Sequence, residues 1–163
     1  MDLLCHLAEA VGSVTVEHPT RVAVDGPPAA GKTTLLDPLG PNGDRRFGHA
    51  VYDRETDTAL SPPLTTAPAD AVLIFDGVFL MRPELIDRWD LRIFLSIEIE
   101  NTVDRAVIRE RRVSSRAEVE RRWRERYIPS QEFYFAMDRP ALRADIVVHN
   151  DDPERPAWET RTH

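Results

Sequence analysis

Gly26-Pro27-Pro28-Ala29-Ala30-Gly31-Lys32-Thr33 satisfies the spacing G-x-x-x-x-G-K-[ST] and follows an apolar run ending in Val24-Asp25, the context that the chemistry of this pattern requires. Glycines let the backbone turn its amides inward around a phosphate, and a helix beginning behind the loop points its positive end at the same anion. Lys32 would then reach the β- and γ-phosphates. Thr33, with Thr34 beside it, would offer a hydroxyl to magnesium. A plain strand-turn-helix corner also favours glycine, but Lys32 is the only lysine among 21 basic residues. A compact ammonium suits a phosphate site differently from a forked guanidinium, so the exception falls where the chemistry wants it.

Two further features belong with this loop. Asp76 ends the apolar run Val72-Leu73-Ile74-Phe75 and precedes Gly77. A carboxylate at a strand end is commonly a turn-former, yet beside a phosphate loop it can hold magnesium directly or through water. Arg105, Arg109, Arg112 and Arg116 are spaced by four, three and four, so one continuous helix would show them on a single face. Such a face is either a solvated surface or a lid whose guanidiniums close over transferring phosphoryl oxygens. Arg105 and Arg109 are the two assigned to the lid.

These residues need elements to position them. Asp2 can cap a helix whose apolar positions Leu3, Leu4, Leu7, Ala8 and Val11 keep a helical period. Strands are expected at 21–25, 71–77, 91–98 and 144–150, each apolar through its centre as in parallel strands covered on both faces. Helices are expected at 83–89, 101–112 and 115–135, the last broken near Pro129. Strands separated by helices imply an α/β, three-layer sandwich with a mostly parallel sheet.

The chain of 163 residues reads as a single domain: an N-terminal helix and lead-in over 1–19, a lid-like helical region over 101–128 and a polar tail over 151–163. Region 38–70 is the anomaly. Its prolines and glycines leave room for little beyond a strand or hairpin at 49–54, an unusual length of irregular chain in a compact domain. Pro38 also disfavours helical geometry at Asp37, so the helix behind Lys32 is held to about one and a half turns. That leaves apolar strand surface in need of another cover.

Missing motifs narrow the class. With one lysine there is no [NT]-K-x-D guanine-reading motif, and no G-x-S-x-G elbow or Cys/His metal spacing occurs. A formal net charge of -7 argues against binding nucleic acid through the whole surface. No apolar run approaches the roughly 20 residues of a membrane helix. The single cysteine, Cys5, and an acidic N-terminus without a basic leader point to the cytoplasm.

Beyond the generic loop, the segments RVAVDGPPAAGKTT, LDPLGPNGDRRF, VYDRETD, VLIFDGVFLMRPELIDRWD, RAVIRE, ERYIPSQEFY and ADIVVHND occur in this order. Together they resemble the uridine kinase-like group of P-loop nucleoside kinases, especially its short actinobacterial-type members. The resemblance covers nearly all of the chain after residue 20. It implies that residues 26–34 bind ATP phosphates, that Asp76 sits at the Mg2+ site, that Arg105 and Arg109 belong to the lid and that Tyr52 lies beside the nucleoside. The implied reaction moves the ATP γ-phosphoryl group to the 5′-hydroxyl of uridine or cytidine.

One departure from that group is large. Its members continue the P-loop helix for several turns into a second strand whose aspartate acts as base and binds ribose; here Leu35 joins almost directly to Leu36-Asp37-Pro38. The expected fold is therefore short of one strand and most of that helix. Asp44, Asp53 and Asp57 are nearby carboxylates, and nothing in the sequence selects one as base. A nucleotide-binding protein without transfer activity, or a P-loop kinase for another small acceptor, are the alternatives.

Overall fold

The computed structural model describes residues 2–27, 44–47, 52–53, 58–59, 61, 63–152 and 154–161. In chain order the elements begin with α1 (Leu3–Ser13), β1 (Thr20–Asp25), β2 (Arg46–Phe47), β3 (Tyr52–Asp53), β4 (Thr58–Ala59), β5 (Thr65–Thr66), β6 (Val72–Gly77) and α2 (Pro83–Ile86). They continue with β7 (Leu91–Ser96), α3 (Ile99–Glu110), α4 (Arg116–Arg122), a π-helical turn (Trp123–Tyr127), α5 (Ile128–Asp138), α6 (Pro140–Arg143), β8 (Ile146–His149) and β9 (Ala157–Thr160).

The four apolar runs form the expected parallel core. Strand order is β6-β1-β7-β8-β9, with β6, β1, β7 and β8 parallel and β9 antiparallel to β8. The chain leaves β1 for β6 on one side and then crosses to β7 on the other, so the strand order reverses at β1. In open α/β sheets the crevice for ligands forms beyond the strand carboxyl ends at such a reversal.

Each sheet face has its own cover. Val22, Leu91, Ile93, Ile146 and Val148 pack under Leu3, Leu7 and Val11 of α1, whose N-terminus is capped by Asp2 accepting from the Cys5 amide at 2.9 Å. On the opposite face Phe94 and Val147 meet Met81 and Tyr134, while Ala23 and Phe75 meet Leu80 and Trp89. α3, α4 and the π turn bury a separate apolar cluster of Val103, Ala106, Val119 and Trp123. This gives the 101–128 region a packing unit of its own.

Two identical devices fix the strand register. Asp90, just before β7, accepts from Arg21 of β1 at the backbone amide (2.8 Å), Nε (3.1 Å) and Nη2 (2.8 Å). Asp145, just before β8, accepts from the same three groups of Arg92 on β7 at 2.7, 3.0 and 2.7 Å. The backbone closes each ring in return, the Asp90 amide donating to the Arg21 carbonyl and the Asp145 amide to that of Arg92. A one-residue slip would break every one of these bonds.

The structure departs from the sequence reading in three places. β6 is covered on one face only: Val72 and Ile74 are exposed on the other, because this edge strand has no long helix lying over it among the described residues. The segment expected as a polar tail carries β9, held by pairing to β8 and by Trp158 packing against α1 and stacking on His6. Within 49–54, where a strand or hairpin is expected, β3 forms, and its antiparallel partner β4 lies beyond that range.

Candidate functional site

At the carboxyl ends of β1, β6, β7 and β8 lies a pocket of about 200 Å³. Asp25, Gly26 and Pro27 enter it from the end of β1, Asp76 from β6, and Asn150 from the chain after β8. α3 contributes Thr102, Arg105 and Arg109. The root of the phosphate loop, the strand-end aspartate and both lid arginines assigned from the sequence are therefore brought to one place. Residues 28–34, with Pro28, Ala29, Ala30, Gly31, Lys32, Thr33 and Thr34, lie outside the described residues. Tyr52 is paired through its backbone to Ala59.

Gly26 is demanded by close packing. A Cβ there would stand 3.2 Å from the Leu95 Cβ of β7, tighter than an ordinary contact, so any side chain would push the loop root away from the sheet. The Gly26 amide also donates to the Gly77 carbonyl at 3.3 Å. The loop thus starts locked between β6 and β7.

The arginine stripe is corrected. α3 stops at Glu110 and α4 starts afresh at Arg116, because Ser115 and Glu118 form a reciprocal capping box that nucleates a new helix. Arg112 falls in the intervening turn, and Arg116 bonds Glu120 at 2.7 Å on the outer surface. Arg105 and Arg109 alone reach the pocket, and they differ. Arg105 already donates to the Asn150 carbonyl at 2.6 Å and that of Asp151 at 3.1 Å, clasping α3 to the chain after β8. The Asp151 carboxylate completes the clasp by accepting from the Glu98 amide and Asn101, which hold its carboxyl below the usual range. Arg109 is 63% exposed at the mouth, with one 3.4 Å contact to Glu110.

Other residues join the site with no motif to announce them. Pro129 has no amide to donate and its ring crowds the preceding turn, and the chain accommodates this with a wider π turn just upstream. The turn buries Trp123 against the pocket, where its indole donates to Thr102 at 3.2 Å and meets Tyr127 edge-on with centroids 4.6 Å apart. Asp25 is 1% exposed and accepts from the Tyr134 hydroxyl, which itself accepts from the Met81 amide at 3.0 Å. Asp25 Oδ1 has no hydrogen-bond partner among the described residues.

Burial pushes the Asp25 carboxyl up to about 6, against the pull of Tyr134 and the amides of Gly26, Met81 and Leu80. Burial, then the Asp25 charge, drive the Tyr134 phenol above its ordinary range. The consequence for stability has a definite sign. The native state holds the Asp25 proton more tightly than the unfolded chain, so stability falls as pH rises from about 3.8 to about 6. The loss is on the order of 3 kcal/mol at neutral pH. Asp25→Asn is therefore expected to raise stability over wild type at pH 8 and scarcely at pH 4, read by denaturant melts at both. Equal differences at the two pH values would show that Asp25 does not carry this penalty.

No protein-family model matches the chain, and no curated protein matches it. Among solved structures, one described as a possible uridine kinase from Bacillus stearothermophilus superposes with a TM-score of 0.54 at 17% identity, covering 88% of this chain and 96% of the other. A second, described as a candidate fructose transport system kinase from Silicibacter sp. TM1040, gives a TM-score of 0.60 at 19% identity over 83% of this chain and 95% of the other. At this identity the likeness establishes the fold alone, an α/β architecture with a mostly parallel sheet.

Proposed function

We propose that the chain is an ATP-dependent phosphotransferase similar to uridine and cytidine kinases, acting on a nucleoside 5′-hydroxyl in the cytoplasm. The observation that carries this reading is the convergence of Asp25-Gly26, Asp76, Arg105 and Arg109 on one pocket at the reversal point of a parallel sheet. The donor set suits a magnesium nucleotide: an exposed carboxylate on β6 faces the same space as two guanidiniums, and Gly26 leaves the backbone bare where a Cβ would crowd it. Bound Mg2+-ATP would supply the transferable phosphoryl group and partial neutralisation of its charge.

The residues divide the work by chemistry. Lys32 would stabilise charge on the phosphoryl oxygens, and Thr33 and Asp76 would hold the metal. Arg109, exposed at the mouth, would offer its guanidinium to the transferring group, while Arg105 positions α3 against the chain after β8. Trp123 and the apolar side chains behind it keep water from that end of the pocket. Tyr52 contacts the nucleoside.

The deciding assay incubates the purified protein with Mg2+-ATP and uridine or cytidine and follows monophosphate formation. Monophosphate is the expected product. The exposure of Val72 and Ile74 favours a second reading, a shortened domain that binds nucleotide without transferring it. That reading stands if ATP raises the melting temperature while no acceptor is phosphorylated. Asp76→Asn is expected to shift the magnesium titration of the reaction to higher concentration, through loss of a charged oxygen ligand. An unchanged titration would remove Asp76 from the metal site.

A further inference from the structure

The two edges of the five-stranded sheet are built differently. One edge is β9, four residues long, with Glu159 in the strand bonded at 2.7 Å to Arg161 just beyond it. Shortness and charge keep a strand edge from pairing with another chain. The other edge is β6, Val72-Leu73-Ile74-Phe75-Asp76-Gly77, six residues with neither lysine nor proline and a single charge near its end. A strand of this kind invites a partner.

Which groups face outward follows from the pairing to β1. The Ala71 carbonyl accepts from the Thr20 amide at 3.0 Å and the Gly77 carbonyl from the Gly26 amide at 3.3 Å, so the odd-numbered residues turn their backbone toward β1. Successive residues of a strand turn to opposite edges, which aims the N–H and C=O groups of Val72, Ile74 and Asp76 away from the sheet. Among the described residues these groups have no partner. The side chains of the same three residues share one face, and all are exposed, Val72 at 47% and Ile74 at 64%. Unpaired backbone groups beside exposed β-branched side chains are completed by another strand.

The strand is its own complement. In antiparallel pairing with a second copy about a twofold axis at Ile74, Ile74 lies opposite its counterpart and Val72 opposite the second copy's Asp76, so every outward position exchanges hydrogen bonds. The two Asp76 carboxylates then stand at opposite ends, about 13 Å apart by strand rise. Moving the axis to Leu73 would oppose Asp76 to Asp70, a like-charge contact, and moving it to Phe75 would carry Val72 past the strand end. We propose that β6 pairs with β6 of a second copy, joining two sheets into one continuous sheet in a twofold dimer. The dimer forms whether or not the chain transfers phosphate. A strand of six residues spans about 20 Å and covers less than the roughly 800 Å² per partner of a standard interface. Association is therefore concentration-dependent, with dissociation in the micromolar range.

Sedimentation velocity of the full chain from about 10 to about 500 µM, with residue-resolved amide exchange at both ends of that range, tests the pairing. A monomer–dimer equilibrium is expected. The Val72, Ile74 and Asp76 amides should slow several-fold at the higher concentration, while those of Leu73 and Phe75, turned toward β1, stay protected at both. Ile74→Lys sets like charges face to face at the axis. At so exposed a position it should leave the melting temperature of dilute protein nearly unchanged and keep the protein monomeric throughout. A wild type that stays monomeric at the highest concentration overturns the pairing. So does a dimer in which these three amides exchange no more slowly, or one that Ile74→Lys leaves intact. Growth beyond two copies would overturn the closed twofold arrangement.

Discussion

Alanine in place of Lys32 is expected to lower phosphoryl transfer by roughly a thousandfold, the scale of removing one preorganised charge donor from a transition state. The argument is chemical before it is structural. The loose transition state of phosphoryl transfer spreads charge over the equatorial oxygens, and catalysis comes from positioned positive charge rather than covalent help. Lys32 supplies the only side-chain ammonium in the chain. Arg109, a guanidinium on α3, does not reproduce a compact ammonium. Lys32→Arg should rescue little, because a planar guanidinium fork presents its donors to a phosphate differently from a compact ammonium. The loss should fall mainly on kcat, with Mg2+-ADP affinity changed much less, since the lysine acts most strongly on charge that develops during transfer. Initial rates of ADP release with uridine, together with calorimetric Mg2+-ADP affinity, decide the matter. Undiminished turnover would sink the phosphate-loop assignment altogether.

The parts of the fold legible in the sequence are those whose signal is local. β1, β6, β7 and β8 each announce themselves as short continuous apolar runs, and the helices between β6, β7 and β8 dictate parallel pairing. The loop root and Asp76 could be placed because both sit at the ends of such runs. β9 could not be read, since Ala157-Trp158-Glu159-Thr160 is polar and gains its place from pairing with β8 and from Trp158 packing on α1. The broken arginine stripe was readable in principle: Ser115 followed by Glu118 is a helix-start signature, and it outweighs a spacing that assumes one helix. Asp25 with Tyr134 was not, because the partners stand 109 residues apart and nothing local in either segment pairs them. Phe79, edge-on to Tyr134, escaped for a related reason, a positive φ being invisible in a residue that is not glycine.

The Asp90→Ala protein is expected to lose about 3–5 kcal/mol of stability, the cost of stripping a buried cation of its partner. Arg21 is 7% exposed, and three of its donors, including its backbone amide, end on the Asp90 carboxylate. Removing the carboxylate leaves the guanidinium desolvated and uncompensated, a large share of the roughly 5–15 kcal/mol that holds a domain together. The matching pair on β7 and β8 gives an internal comparison: side chains of Arg92 and Asp145 are 25% and 22% exposed, so water can replace part of what Asp145→Ala removes. Its loss should be the smaller. Exchanging both charged residues of the first pair for apolar ones would not restore wild type, because the Arg21 amide would still lack its acceptor, at a cost of about 1–3 kcal/mol. Denaturant midpoints at constant slope measure all three. The effect should extend to the phosphate pocket, since the β1–β7 register that Asp90 pins is what sets Gly26 against Leu95. Asp90→Ala should therefore weaken Mg2+-ADP binding under conditions where the protein remains folded, whereas Asp145→Ala, acting on β7 and β8, should leave it nearly unchanged. Equal effects of the two variants on binding would show that the register of β1 does not govern the loop root.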